Sequence, residues 1–282
     1  MRSKGLGILL MLAVLPVCAQ VPGAPVPPPT TDAVSPRQHG PRKALGLRPD
    51  RVVNGIPVWT SGNWSGYAVV GSSFTQAQGS WTVPTVDCTK NTNIASASFW
   101  VGIDGWDNGT VEQTGTASDC SKNRPSYYAW YEFFPKSGVT ITSVPVTPGD
   151  QISAEVVYND PEFTVTLTNE TTGKSYSTSS TVPGARRASA EWIAEAPCCT
   201  GGGDTLPLSR FRVVPFGEDF TYSNGTNYAT DASTSGQIGA FGDNVQESIM
   251  LDGNNRVDAV PSPLSSDGTS FTVVRMPRAR WP

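Results

Sequence analysis

The run FTVTLT, from Phe163 to Thr168, places apolar and polar side chains in strict alternation. Successive side chains of a β-strand point to opposite faces, so this run predicts a strand with one buried and one solvated face. Nine other segments also predict strands: Gly66–Gly71, Gly79–Val83, Ala95–Ile103, Tyr127–Phe134, Gln151–Tyr158, Ala188–Ala194, Arg210–Val214, Glu247–Leu251 and Ser270–Arg275. Turn-forming residues separate these segments, and no segment keeps a helical period. We therefore predict an all-β fold, an antiparallel β-sandwich of two packed sheets.

The composition favours one large β domain. The 282 residues include 28 Gly and 24 Pro, which suit many strands joined by tight turns. A chain of this length could form two domains, but β-sandwiches of about 200–250 residues commonly form one. We predict a single domain over residues 59–282.

The first 19 residues have the layout of a secretory signal peptide. Arg2 and Lys4 precede an apolar run from Leu6 to Pro16, and a cleavage site fits after Ala19. Cys18 would permit a lipoprotein, but Val17 fits poorly before a lipidated cysteine. The rest of the chain contains no run of 18 apolar residues, so the sequence predicts no membrane span. We predict a secreted, extracellular protein.

Residues 20–58 differ in composition from the rest of the chain. They are rich in Pro and carry five Lys or Arg against two Asp, whereas residues 60–282 carry 13 Lys and Arg against 22 Asp and Glu, a formal charge of −9. Such a segment is either a disordered linker or a basic propeptide. We predict a propeptide that inhibits the acidic body at neutral pH and loosens as carboxylates protonate.

Removal of the signal peptide leaves four cysteines, an even number that suggests disulfides in an exported chain. Three connectivities are possible. We favour Cys88–Cys120, which leaves Cys198 and Cys199 as an unusual bridge between neighbours. A metal site needs more thiol or imidazole ligands at recognisable spacing, so we predict no metal.

The single histidine limits the chemistry. It is His39, in the predicted propeptide, so residues 59–282 contain no imidazole. A Ser-His-Asp or Cys-His triad and a His-ligated zinc site are thereby excluded from that domain. Carboxylates, amides, hydroxyls or phenols must carry any catalysis.

Strand alternation places aromatic and acidic side chains together. Trp100, Gly102 and Asp104 share one strand face, while a second strand presents Tyr128, Trp130, Glu132 and Phe134 on one face. These faces suggest a groove for an extended polymer. Ordinary aromatic packing is the alternative.

An ordered series of motifs resembles the glutamic peptidase (eqolisin) family. The series spans about residues 63–195 and consists of Asn63-Trp64-Ser65-Gly66-Tyr67, Gly79-Ser80-Trp81-Thr82-Val83-Pro84, Trp100-Val101-Gly102-Ile103-Asp104-Gly105, Val111-Glu112-Gln113-Thr114-Gly115, Ala129-Trp130-Tyr131-Glu132 and Ala190-Glu191-Trp192-Ile193-Ala194-Glu195. The resemblance implies an acid endopeptidase with two packed, curved sheets of the concanavalin, lectin-like type. Such an enzyme needs no cofactor and acts on polypeptide substrates. The resemblance also favours a monomer and gives no reason to expect a nucleic-acid or membrane partner.

The resemblance also implies residue roles. Glu191 is the general base that activates water and later protonates the leaving amine, and Gln113 helps to hold the water and donates to the developing oxyanion. Supporting groups in the cleft are Trp64, Trp100, Asp104, Tyr128, Trp130 and Glu132. Tyr128 stands where the family usually has aspartate, and Phe134 where it often has tyrosine. Both departures bear on substrate preference and pH range.

Two other functions fit parts of the sequence. A carbohydrate-binding β-sandwich without catalysis would use the same aromatic groove, but it would leave the Gln113 and Glu191 motifs unexplained. A glycoside hydrolase would use Glu132 and Glu191 as its paired carboxylates.

Overall fold

The computed structural model describes residues 32–89, 94–199, 204–217 and 227–280 of the chain. A 3₁₀-helical segment spans Ile238–Asn244, with a kink at Gly242. The strands are β1 (Ala33–Val34), β2 (Arg37–Gln38), β3 (Arg51–Val53), β4 (Ile56–Ser61), β5 (Trp64–Val70), β6 (Gln76–Thr82), β7 (Ser98–Ile103), β8 (Val111–Ser121), β9 (Arg124–Phe134), β10 (Val139–Ile141), β11 (Gln151–Asn159), β12 (Glu162–Asn169), β13 (Lys174–Ser180), β14 (Ser189–Glu195), β15 (Cys198–Cys199), β16 (Val213–Phe216), β17 (Tyr228–Thr230), β18 (Ser235–Gln237), β19 (Val245–Leu251), β20 (Arg256–Pro261) and β21 (Phe271–Arg280).

The strands form two packed layers within one large, open and mainly antiparallel sheet. The first layer runs in the order β1-β10-β9-β8-β7-β14-β5-β19-β4-β3, in which only β4 and β19 pair in parallel. The second layer contains β13-β12-β11-β6, with β16 and β17 also on β6. Through β21 and β20 the second layer continues into β19. The predicted all-β sandwich is confirmed.

The main core lies between the two layers, where the predicted alternation is obeyed. Phe163, Val165 and Leu167 of β12 are each 1% exposed and join the same apolar cluster as Phe99 and Val101 of β7. Burial of each such side chain contributes about 1.5–3 kcal/mol of hydrophobic free energy. The alternate residues of β7 therefore point to the opposite face of the first layer.

That opposite face is the cleft face, on β5, β7, β8, β9 and β14. It has its own buried apolar cluster: Trp64, Ala68, Trp100, Trp106, Val111, Ala117, Trp130 and Ile193. A cleft face open to water would leave these residues exposed. Instead residues 32–44, here called the N-terminal segment, lie across it: His39 is fully buried and Arg37 is 9% exposed.

The predicted domain boundary after Val58 falls inside β4. Val58 is fully buried, packs with Ile249 and pairs in register with Glu247. The first half of β4 therefore packs as part of the folded domain. A propeptide that ends at residue 58 stays a prediction.

The Cys88–Cys120 disulfide is confirmed, with its Cα atoms 5.4 Å apart. It closes a loop with a sequence separation of 32, which stabilises the fold by about 3–4 kcal/mol in the chain-entropy picture. The predicted Cys198–Cys199 bridge involves the Cys199 side chain, which lies outside the described residues, as does the predicted signal peptide. Among the described residues no helix is long and apolar enough to cross a membrane.

Candidate active site

The register of four neighbouring strands brings the predicted catalytic residues into one row. Glu132 of β9 lies opposite Gln113 of β8, Gln113 opposite Gly102 of β7, and Gly102 opposite Glu191 of β14. Residues in register share a face of the sheet. All four are buried on the cleft face.

Gly102 leaves a gap between Gln113 and Glu191. The two residues are two strands apart, about 10 Å between Cα atoms at the usual strand spacing. A Cβ atom at Gly102 would lie 3.1 Å from the Gln113 Cβ and 3.0 Å from the Trp100 ring. Glycine at this position therefore keeps a side chain out of the space between the Gln113 amide and the Glu191 carboxyl.

The Gln113 amide already binds a peptide carbonyl. Its Nε2 donates to the carbonyl oxygen of His39 at 2.5 Å and is 3.4 Å from Glu132 Oε2. A carbonyl can only accept, so the NH₂ group of the amide faces it. The Oε1 atom of Gln113 has no partner among the described residues, so it can accept from a water molecule.

Glu191 is fully buried, and neither of its carboxyl oxygens has a hydrogen-bond partner among the described residues. Burial raises the pKa of Glu191 well above its ordinary value, and the nearby Asp104 and Glu112 raise it further. Such a carboxyl holds a proton readily.

The N-terminal segment crosses this row as an extended peptide. The His39 N–H donates to Glu132 Oε2 at 2.8 Å, and β2 pairs with β15 beside the cleft. Arg37 forms a 2.8 Å ion pair with Asp119 at one end. At the other end the Arg42 N–H donates to the Gly105 carbonyl at 3.0 Å.

Arg42 is held by both aromatic and polar groups. Its guanidinium lies 4.0 Å from the centre of the Trp106 ring, a cation–π contact, and its Nε donates to the Trp106 carbonyl at 3.1 Å. Burial lowers the pKa of Arg42 to about 10, and the nearby carboxyl groups of Asp107 and Glu191 act against that fall. The segment is thus attached on both sides of the Gln113–Glu191 gap.

The other predicted site residues surround the row. Trp64 and Trp100 meet edge to face with ring centres 4.9 Å apart. The Tyr128 hydroxyl donates to Asp119 at 3.3 Å, and Tyr128 itself lies four residue pairs along the sheet from Gln113. Trp130 stacks on the His39 ring with centres 3.5 Å apart.

Asp104 positions the strand that carries Glu191. Its carboxylate accepts the backbone N–H groups of Arg186, Arg187 and Ala188 at 2.7–2.8 Å, immediately before β14 begins. It also accepts from Asn108 at 2.6 Å. These contacts fix the entry of β14 and place Asp104 beside the row rather than in it.

Two further buried acids lie on the cleft face, Asp119 and Glu195, and a third, Glu112, directly precedes Gln113 on β8 and so points to the opposite face. Glu195 is four residues after Glu191 on β14, a spacing that puts both on the same strand face, and this signal could have found it. Glu112 and Asp119 have no comparable signal because β8 is polar along its whole length. No group of three or more metal-ligating side chains occurs in the described part of the chain.

Glu112 predicts a pH dependence of stability. Burial raises its pKa to about 9, whereas an unfolded glutamate titrates near 4.5. Between these two pH values the folded state holds a proton that the unfolded state releases. The stabilisation that comes from this proton is therefore complete below about pH 4.5 and is lost as pH rises to about 9. We expect Glu112→Gln to raise the free energy of unfolding at pH 8 by about 1–3 kcal/mol and to change it little at pH 4. Urea unfolding of both proteins at the two pH values measures this, and an equal effect at both would contradict it.

Comparison with known proteins agrees with this geometry. The family model described as the Peptidase A4 family matches residues 62–259. The chain is 30% identical to scytalidopepsin B of Scytalidium lignicola over 208 residues, 70% of this chain and 78% of that protein. It is 28% identical to aspergillopepsin-2 of Aspergillus niger over 196 residues, 62% of this chain and 69% of that protein.

A solved structure agrees as well. Scytalido-glutamic peptidase with a transition state analog inhibitor superimposes with a TM-score of 0.62 at 25% identity, covering 76% of this chain and 98% of that one. The family match covers well over half of the chain and includes every strand of the Glu132–Gln113–Gly102–Glu191 row. The chain therefore belongs to the Peptidase A4 (eqolisin) family and is a glutamic-type endopeptidase.

Proposed function

We propose that the chain is the latent precursor of a secreted acid endopeptidase that works through Glu191 and Gln113. One observation carries the proposal: across Gly102 from Glu191, the Gln113 amide donates to a peptide carbonyl, that of His39. The contact that the mechanism requires with a substrate is thus made by a peptide bond of the chain itself.

The reaction has two steps. The Glu191 carboxylate takes a proton from water while the water oxygen bonds to the peptide carbonyl carbon, and the C=O electron pair moves to the oxygen. The Gln113 N–H stabilises that oxyanion, and its charge-independent donor works at acid pH. When the intermediate collapses, the C=O bond re-forms and the C–N bond breaks. The Glu191 carboxylic acid returns its proton to the leaving nitrogen.

Removal of the N-terminal segment prepares Glu191 for the first step. Beneath the segment the raised pKa of Glu191 keeps its proton in place, so the carboxyl cannot act as a base. Opening the cleft hydrates the carboxyl and lowers its pKa toward the acid range. The active enzyme is therefore expected to need an open cleft.

The N-terminal segment inhibits by occupying the cleft. It fills the gap at Gln113 and is held by Glu132 and Asp119 through a backbone bond and an ion pair. These contacts support the inhibitory propeptide that the sequence predicts.

Acid alone does not release the segment in this proposal. Burial raises the pKa of both Glu132 and Glu191, so docking favours their protonated forms and is strengthened, not weakened, as pH falls. Loss of the Arg37–Asp119 ion pair in acid acts in the opposite direction, and this pair is itself nearly buried, so the proposal requires that the two buried carboxyls outweigh it. Activation then depends on peptide-bond cleavage, which differs from the release by protonation that the charge distribution predicts.

Hydrogen exchange distinguishes release of the segment by peptide-bond cleavage from release by protonation. In full-length Glu191→Gln protein, which cannot cut itself, we expect the backbone amides of residues 37–40 and of Arg42 to stay protected at pH 4, within about threefold of their protection at pH 7. The main-chain bonds of His39 and Arg42 do not depend on an ionised Asp119. Loss of protection at pH 4 without cleavage would restore simple acid release.

An assay of the wild-type chain tests the function. The purified full chain is brought to pH 3–4 and given denatured casein and, separately, soluble polysaccharides, with intact mass recorded over time. We expect casein peptides to appear after a lag during which the chain loses mass at its N-terminus. Polysaccharide cleavage or binding without proteolysis would contradict the proposal.

The sheet register argues against the glycoside hydrolase. Three strand spacings separate Glu132 from Glu191, about 14 Å between Cα atoms. Paired catalytic carboxyls stand about 5–9.5 Å apart, and Glu132 is directed to the His39 N–H and Gln113 instead.

A further inference from the structure

Residues 46–49 form a short loop between two anchored parts of the chain. Just before the loop, the Leu45 N–H donates to the Thr60 carbonyl at 3.2 Å. Just after it, the Asp50 N–H donates to the Val58 carbonyl at 2.8 Å, and β3 begins at the next residue. The chain therefore joins the N-terminal segment to the sheet through this loop.

The loop is exposed, and it is held only at its two ends. Leu47 is 100% exposed, and Arg48 and Pro49 are exposed as well. Residues 46–49 form no hydrogen bond or ion pair with any residue that the structure describes. A peptide bond must leave its local structure and become extended to enter the cleft of a peptidase, and a loop of this kind does so at the least cost.

The neighbouring stretches of the chain are poorer substrates. Residues 37–42 lie in the cleft, where Glu191 keeps its proton and cannot act as a base. Bonds in β3 and β4 belong to the sheet, and Val58 is fully buried. A cut before Asp32 would leave the whole segment joined to the domain. A cut within residues 46–49 separates the segment from the domain without disturbing the cleft or the sheet.

The loop cannot reach the catalytic row of its own molecule. The layer order β7-β14-β5-β19-β4-β3 places β3 five strand spacings, about 24 Å, from Gly102 at the gap between Gln113 and Glu191. Asp50 extends β3, and the stretch from Leu47 to Asp50 spans at most about 10 Å. As long as β3 stays paired, the loop can enter only the cleft of another molecule.

We propose that the activating cut falls within residues 46–49 and is made by the catalytic row of a second copy of this chain. This assignment rests on the proposed function, because the second copy must be an active endopeptidase. The oxygen of a water molecule bonds to a carbonyl carbon of the loop, the C–N bond breaks, and the nitrogen takes a proton and leaves as an amine. The N-terminal segment is then held by non-covalent contacts alone, whereas β3 and β4 stay with the domain.

A mixture of two proteins tests cutting between molecules. Full-length Glu191→Gln chain, which cannot cut itself, is given a trace of wild-type chain that has finished its own processing at acid pH. We expect the first product to be a domain that begins at residue 47, 48 or 49, as measured by intact mass. A first product that begins at Gly40 or inside β4 would overturn the proposal.

The dependence of processing on protein concentration is a second test. For the wild-type chain at pH 3–4, we expect the half-time of processing to fall about 10-fold for each 10-fold rise in concentration, because two molecules must meet. A half-time that does not change with concentration would indicate cutting within one molecule and would overturn the proposal.

Proline substitutions test the position of the cut. In the double variant Leu47→Pro/Arg48→Pro, every peptide bond within residues 46–49 precedes a proline, which stiffens the loop and removes two N–H groups. We expect its lag before casein digestion to lengthen about 10-fold or more. The control Leu45→Ala keeps the backbone bond to Thr60 and should keep the lag within about threefold of wild type. Equal lags in the double variant and the control would contradict a cut in this loop.

Limited proteolysis examines the loop without the activity of the chain itself. Thermolysin cuts before large apolar residues, and in full-length Glu191→Gln chain at pH 7 we expect its first cut among residues 32–61 to fall before Leu47. A first cut within residues 37–42 or inside β4 would contradict the accessibility of the loop. Absence of casein digestion by the wild-type chain would contradict the proposed function, whereas casein digestion with the loop left uncut would contradict this proposal alone.

Discussion

Glu191→Gln is expected to reduce casein digestion at pH 3–4 by about 10⁴-fold, the upper range for one general acid–base group. Glutamine cannot take a proton from water at this pH, and it cannot return one to the leaving amine. Because Glu191 serves both steps, neither has a substitute in the row. The proper readout is kcat/KM on casein together with the rate at which the chain shortens itself.

The fold should survive this change. Glu191 is fully buried and burial favours its neutral form, so an uncharged glutamine of the same shape replaces it closely. We expect the melting temperature of Glu191→Gln to match or slightly exceed that of wild type at pH 7. Glu162→Gln, on the exposed start of β12, is the matched control and should retain wild-type activity. Equal digestion by wild type and Glu191→Gln would refute the dyad.

Gln113→Ala is expected to reduce kcat/KM by about 10²- to 10³-fold, the effect of deleting one oxyanion donor. The alanine leaves the oxyanion without the amide N–H that now reaches the His39 carbonyl. The same loss should weaken docking of the N-terminal segment, so the variant should combine poor turnover with faster tryptic cutting after Arg42. This combination distinguishes a lost donor from a merely unfolded protein.

Gln113→Glu supplies the informative control. A protonated carboxyl can donate a hydrogen bond, whereas a carboxylate can only accept. We expect this variant to be nearly inactive at pH 6 and to recover part of its activity as pH falls to 3, while Gln113→Ala stays low throughout. Identical pH profiles for the two variants would contradict the donor role of Gln113.

Alternation identified the strands that have one covered face. Phe163 to Thr168 became β12 because its apolar side packs into the core and its threonines face the β13 serines and the surface. The predicted faces of β7 and β9 are also confirmed, with Trp100 and Trp130 on the cleft side. In a half-buried strand, the alternation of apolar and polar residues shows which face is buried.

Strand β8 does not show alternation because both of its faces are covered. Its residues from Val111 to Cys120 are all buried, yet the run contains Glu112, Gln113 and Asp119. The second layer covers one face and the N-terminal segment covers the other. Only the motif around Gln113 marked this strand in advance, since local polarity suggested a surface.

The alternation of residues along strands could not predict that His39 binds the cleft face. The sequence placed His39 in a basic segment, and the absence of histidine from residues 59–282 predicts that groups other than imidazole carry the chemistry of that domain. The position of His39 over Trp130 and Glu195 depends on contacts 91 and 156 residues away.

The predicted strand Arg210–Val214 is displaced, since β16 runs from Val213 to Phe216 and pairs with β21.

The parallel pairing of β4 with β19 limits how far the chain can be trimmed. With β3 removed, β4 becomes the last strand of the first layer, and Pro57 near its start offers no N–H to a neighbouring molecule. A cut after Val58 would remove the residue that pairs with Glu247 and leave only Trp59, Thr60 and Ser61 of β4 paired with β19. An enzyme trimmed there should therefore have a shorter and weaker edge strand than one whose trimming stops before Ile56.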